Sequence, residues 1–134
     1  MPAIRGESLD LLGEKDIVLV RQAVRKIAQD LGFRLVDQTK IVTAASELAR
    51  NTIIYGGGGI LKWEHIRDGG KEGVRLTFSD QGPGIADIEQ AMKDGWTTGR
   101  GLGLGLSGAK RLVNEFEIES RPGAGTCVTV TRWK

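Results

Sequence analysis

Cysteine, histidine and proline are scarce here: one, one and three residues in a chain of 134. The lone Cys127 excludes an internal disulfide and a thiolate metal cluster. It stands in an alternating apolar run, where a small buried hydrophobe is the expected role. The lone His65 lies inside a strand-like run, so any Ser-His-Asp or Cys-His catalytic set would have to recruit that one residue. Charge of one sign is scarce too: 19 Lys and Arg against 17 Asp and Glu leave a net charge of +2. That balance gives no reason to expect nucleic acid or a membrane surface as partner. No apolar run approaches the ~18 residues of a membrane span, and no signal-peptide pattern is read. A reducing cytoplasm is the expected compartment. The length fits a single domain, 1–134, and such a chain can bury roughly 68% of its unfolded surface without staples.

What the chain does have is glycine, 20 residues, gathered in clusters. Clustered glycine suits close approach of backbone to a ligand. Around the clusters the pattern is mixed. Ile17-Val18-Leu19-Val20 predicts a short strand leading into a helix with Val24, Ile27 and Leu31 on one stripe, ended by Gly32. Asp37 is the expected N-cap of a second helix carrying Ile41, Ala45, Leu48 and Thr52. Gly56 to Gly59 stop that helix and are expected to form a mobile loop. Residues 60–66 and 74–79 predict an antiparallel hairpin turning at Asp68-Gly69-Gly70-Lys71, with Asp80 at the end of its second strand. A short helix falls within 85–96, and another begins near the second glycine box with Leu106, Ala109, Leu112 and Val113. Two strands close the chain, around 116–120 and 127–132, joined by a turn at 122–125. The sum predicts an α/β (α+β) domain with helices on one face of a mostly antiparallel sheet.

Three elements carry candidate chemistry. Glu47 and Asn51, four apart, share one helix face. The carboxylate could take a proton from an attacking hydroxyl, and the amide oxygen suits Mg²⁺, which favours oxygen ligands beside substrate phosphates. Alone, that spacing also fits a solvated helix face. In Asp80-x-Gly82-x-Gly84, a carboxylate acceptor at a strand end matches the exocyclic amine of adenine and not the carbonyl of guanine. The glycines would admit a purine against the backbone; a tight turn is the other reading. Gly101-x-Gly103-x-Gly105, with Leu102, Leu104 and Leu106 between and after, opens a helix, where free N–H groups and the helix dipole favour phosphate. It does not match the P-loop. Gly103-x-Gly105-x-x-Gly108 matches the dinucleotide fingerprint formally, but a polar loop precedes it in place of a strand. Residues 85–100 suit a lid, with Thr97, Thr98 and Arg100 as candidate phosphate contacts and Trp96 as packing. Ile85 follows the Asp80 box, and Thr126 could place a hydroxyl near the purine.

The three boxes in this order resemble the GHKL superfamily of ATP-binding domains. Ser46-Glu47-Leu48-Ala49-Arg50-Asn51, Asp80-Gln81-Gly82-Pro83-Gly84-Ile85, Gly101 to Leu106, Gly108-Ala109-Lys110-Arg111-Leu112 and Gly123-x-Gly125-Thr126 are similar to RsbT-type serine/threonine kinases. The resemblance implies a Bergerat-type two-layer sandwich binding ATP with Mg²⁺. It implies Glu47 as base, Asn51 as metal ligand, Asp80 as adenine contact with Gly82 and Gly84 beside it, and Gly101, Gly103 and Gly105 along the phosphates. It also implies a STAS-domain protein as phosphoryl acceptor and a PPM-type serine phosphatase as a further partner. Competing expectations are an anti-sigma factor that sequesters a sigma factor, the catalytic domain of a sensor histidine kinase, and a dinucleotide-dependent oxidoreductase. Oligomeric state is left open.

Overall fold

The computed structural model describes residues 3–92 and 103–134. Five strands form one sheet: β1 (Ala3–Leu11), β2 (Gly59–Asp68), β3 (Lys71–Asp80), β4 (Glu115–Ser120) and β5 (Thr126–Trp133), in the spatial order β1-β2-β3-β5-β4. Every neighbouring pair is antiparallel. Register follows side-chain alternation. Leu61 pairs with Phe78, Trp63 with Leu76, Leu76 with Val130 and Phe78 with Val128, so one face of the sheet is apolar. The opposite face carries Lys62, Glu64, Arg75, Thr77, Glu117 and Thr129. A one-residue slip would exchange the two faces, which fixes the pairing.

The apolar face is covered by α1 (Lys15–Asp30) and α2 (Leu35–Ile54), with α4 (Gly103–Arg111) beside α2 and a four-residue turn of helix α3 (Ile88–Ala91) against α4. Ile17, Val20, Val24 and Ala28 of α1 and Ile41, Ala45, Leu48 and Ala49 of α2 are buried against Leu61, Leu76, Phe78 and Val130. Each fully buried aliphatic or aromatic side chain contributes about 1.5–3 kcal/mol relative to exposure. This is the expected sandwich with helices on one face.

Two sequence expectations are corrected. Ile17 to Val20 are not a strand but the first turns of α1. Ile17 and Val20 are buried while Val18 and Leu19 are exposed, a helical division that a four-residue apolar run conceals. The turn before the helix is tied by Asp16, whose Oδ2 accepts from the Leu12 and Gly13 N–H groups at 2.8 and 3.1 Å. Asp37 does not cap α2 either: Arg34 holds the N-cap position with extended backbone, and Asp37 lies in the first turn. Its carboxylate accepts from Arg132 Nη2 at 2.6 Å, joining α2 to β5. Strand β1 was not anticipated. Its alternation is mostly polar, and among its described side chains only Leu9 and Leu11 turn toward the core.

Candidate functional site

A cavity of about 370 Å³ opens where α2, the end of β3, α4 and β5 meet. That volume lies in the usual range for small-molecule sites. Leu48, Asn51 and Thr52 line it from α2, Tyr55 and Gly56 from the chain just beyond, and Phe78 and Asp80 from β3. Residues 83–87 form a second wall, and Leu106, Thr126 and Val128 complete the lining. The surface is chiefly apolar, with Asp80 and Asn51 among its few polar side chains.

Asp80 is held by backbone. Its Oδ1 accepts from Gly82 N–H at 2.9 Å and from Thr126 N–H at 3.2 Å. Both bonds fall on one carboxylate oxygen. Gly56 passes so close that a Cβ there would overlap the Asp80 carboxylate, and a Cβ on Gly82 would come within 2.7 Å of Gly56 Cα. The chain can make these approaches only with glycine at both positions. Gly56, Gly58 and Gly59 are therefore packed in place, with only Gly57 open to solvent, and the stretch is not the open loop expected of it; Gly59 is already the first residue of β2.

The wall after Asp80 is locked to the β4–β5 turn. Gly84, at φ 77°, lies against the Arg121 carbonyl, and Gly123 N–H donates to Pro83 O at 2.7 Å. Ile85 N–H donates to Ser120 Oγ at 2.7 Å, and Ser120 Oγ lies 2.7 Å from Thr126 Oγ1. Ser120, Gly56, Tyr55, Thr52 and Asp87 were missed as site residues. Tertiary pairing alone brings Ser120 here, whereas Thr52 and Tyr55 follow Asn51 along the end of α2 and four consecutive glycines after a helix were a readable signal for Gly56.

The other boxes divide. Gly103, Leu104, Gly105 and Leu106 fall inside α4. Leu106 lines the cavity and is 5% exposed. Gly105 packs against Asn51, since a Cβ there would stand 3.1 Å from Asn51 Nδ2. Glu47 does not line the cavity. It is half-exposed on the flank of α2 and pairs with Arg50 at 3.3 Å. Trp96, Thr97, Thr98, Arg100, Gly101 and Leu102 lie outside the described residues. His65 is far from this constellation, its Nε2 2.9 Å from Glu72 Oε2 across the β2–β3 hairpin. The His65 hydrogen bond, with Arg67 next, holds the Glu72 carboxyl below its ordinary value.

Among the described residues no cluster of three or more His, Cys, Asp or Glu side chains could hold a metal ion. The Asn51 amide oxygen is a hard donor at the cavity wall, which fits an ion such as Mg²⁺ that takes most of its ligands from phosphates and water.

The family of histidine kinase-, DNA gyrase B- and HSP90-like ATPases matches residues 36–134. The chain belongs to that family. The matched span runs from the first turn of α2 to the chain end and so takes in every residue that lines the cavity. The chain is similar to the serine/threonine-protein kinase RsbT of Bacillus subtilis (strain 168), 48% identical over 123 residues, which are 92% of each protein. It is also similar to the anti-sigma F factor of Thermoanaerobacter sp. (strain X514), 34% identical over 84% of this chain and 82% of that one. Among solved structures, the RsbU and RsbW domains of a Mycobacterium tuberculosis protein align with a TM-score of 0.65 at 23% identity. The alignment covers 97% of this chain, which spans about a third of that structure's length (33%). The SiaB–SiaC complex of Pseudomonas aeruginosa aligns with a TM-score of 0.58 at 12% identity, over 98% of this chain and 91% of that one. The resemblance and the fold drawn from the sequence are thereby borne out.

Proposed function

We propose that this chain is a serine/threonine protein kinase that transfers phosphate from ATP to a STAS-domain protein in a partner-switching pathway. The observation that carries the reading is the cavity itself: an apolar slot ended by a backbone-held carboxylate, in a chain 48% identical to a serine/threonine-protein kinase. Asp80 Oδ2 accepts the adenine amine, since the bonds from Gly82 and Thr126 occupy Oδ1. Gly82 and Gly84 carry the chain past the purine, while Phe78, Ile85, Leu106 and Val128 exclude water from its faces. Asn51 would hold Mg²⁺, which would neutralise phosphate charge. Thr97, Thr98, Arg100 and Gly101 to Gly105 are assigned to the phosphates from the sequence and its family resemblance. Glu47 receives the proton of the acceptor hydroxyl. Positioning and electrostatics then supply most of the rate.

The chain works as one unit, with β1 paired inside the same sheet as the site. Among the described residues no helix is long and apolar enough to cross a membrane, in keeping with a cytoplasmic regulator. After transfer the kinase leaves its acceptor and engages a PPM-type serine phosphatase. Purified chain incubated with labelled ATP, magnesium and STAS-domain proteins should place label on one serine or threonine of one of them. Absence of both labelling and ATP binding would end this reading. A second reading, sequestration of a sigma factor, is favoured by the 34% identity to anti-sigma F factors. Stable co-purification with a sigma factor, and none with a STAS protein, would select it.

A further inference from the structure

We propose that Arg50 is a positioning residue for Glu47, holding the carboxylate on the flank of α2 beside the cavity-lining Asn51 so that it can receive the acceptor's proton. This rests on Glu47 being the base. At 3.6 residues per turn, Glu47 falls between Arg50 and Asn51 around the circumference of α2. Asn51 lines the cavity, whereas Glu47 and Arg50 sit on the adjoining flank. There the two side chains are 37% and 33% exposed.

A glutamate on such a flank has three side-chain torsions, and its partial burial leaves the carboxylate end free to turn. Arg50 Nη1 donates to Glu47 Oε1 at 3.3 Å and narrows that freedom without abolishing it. Ion pairs of this exposure add little to stability, so the consequence of the bond is geometric. A reacting group displaced by about 1 Å can lose ~10²-fold in rate. The bond engages one carboxylate oxygen, and Oε2 is the oxygen that meets the hydroxyl. In the transfer the acceptor Oγ forms a bond to the γ-phosphorus. The bond from that phosphorus to the β,γ-bridging oxygen breaks, and its electron pair leaves with ADP. The Oγ proton passes to Glu47 Oε2, so charge and atoms balance.

A double-mutant cycle tests the proposal. The probes are Mg·ATP and the STAS-domain acceptor labelled in the assay above. Arg50→Ala should lower kcat for transfer by about tenfold, with KM for acceptor and Kd for ATP unchanged. Arg50→Lys should recover part of the loss. In the Glu47→Gln background Arg50→Ala should change nothing further. Equal loss in both backgrounds would show that Arg50 acts apart from Glu47 and overturns the proposal. So would a change confined to KM for the acceptor, which marks a docking contact, or a rise in kcat, which marks a restraint. If Glu47→Gln transfers at the wild-type rate, the base assignment itself fails and Arg50 falls with it. A normal ATP Kd for Arg50→Ala certifies that the variant is folded.

Discussion

The Asp80 end of the cavity and the Glu47 flank of α2 beside it are built differently. At the Asp80 end the positions are set by backbone: Gly82 and Thr126 amides on one carboxylate oxygen, Gly56 against the carboxylate, Ser120 pinning Ile85. At the Glu47 end they are set by side chains on a half-exposed helix flank, joined by one ion pair. Backbone cannot move without disturbing β3, β5 and the end of α2 together. Side chains on a helix flank move by torsion alone. The rigid end suits recognition of a base whose shape never changes, and the adjustable end suits a step in which a second protein must arrive and leave.

The contrast can be broken at either end. The largest effect is expected from Glu47→Gln, which should reduce phosphoryl transfer by ~10²–10⁴-fold while ATP binds as before. Transfer at the wild-type rate in a single-turnover assay would remove the base from that end. Asp80→Asn comes next. A hydrogen bond to a charged group is worth about 1.5–3 kcal/mol, so ATP affinity should fall by roughly 10- to 150-fold. Calorimetry giving an unchanged Kd would mean the purine is read elsewhere.

Gly56→Ala sharpens the comparison, since it adds a methyl group at the rigid end without removing any polar atom. The overlap with the Asp80 carboxylate should destabilise the fold by about 1–3 kcal/mol and weaken ATP binding with it. A variant with normal denaturation midpoint and normal affinity would show that the approach of Gly56 to Asp80 is not close. Asn51→Ala should lower ATP affinity several-fold in magnesium and leave it nearly unchanged in EDTA, because one of about six oxygen ligands is lost. Identical losses in both buffers would assign Asn51 to the nucleotide directly.

The smallest effect lies away from the cavity, at Asp37. The Arg132 hydrogen bond holds its carboxyl below the ordinary value of 3.8, against a smaller opposing effect of burial. A depressed folded value means that the pair stabilises the fold fully above 3.8 and loses that contribution as pH falls through the lowered value. Denaturation midpoints of wild type and Asp37→Asn should therefore differ near neutrality and converge in acid. A constant difference across that range would show that the pair is not titrating.

Much of this was legible in the sequence, for identifiable reasons. The β2–β3 hairpin announced itself through period-two alternation and Gly69-Gly70, and Asp80 came at its end as expected. The stripe of Ile41, Ala45 and Leu48 marked α2. Illegible were β1, whose polar alternation is that of an edge strand, and the start of α1, where four apolar residues in a row carry no period. The roles of Asp37 and Ser120 were hidden because their partners lie 95 and 35 residues away, at Arg132 and Ile85.

The sequence by itself determined the hairpin, the helix faces, the order of the three boxes and thus the family, because periodicity and spacing are local properties of a chain. Which atoms face the cavity was decided only when β5 paired with β3 and the end of α2 folded against Asp80. Those contacts join residues far apart along the chain, and only the assembled core settles where they meet.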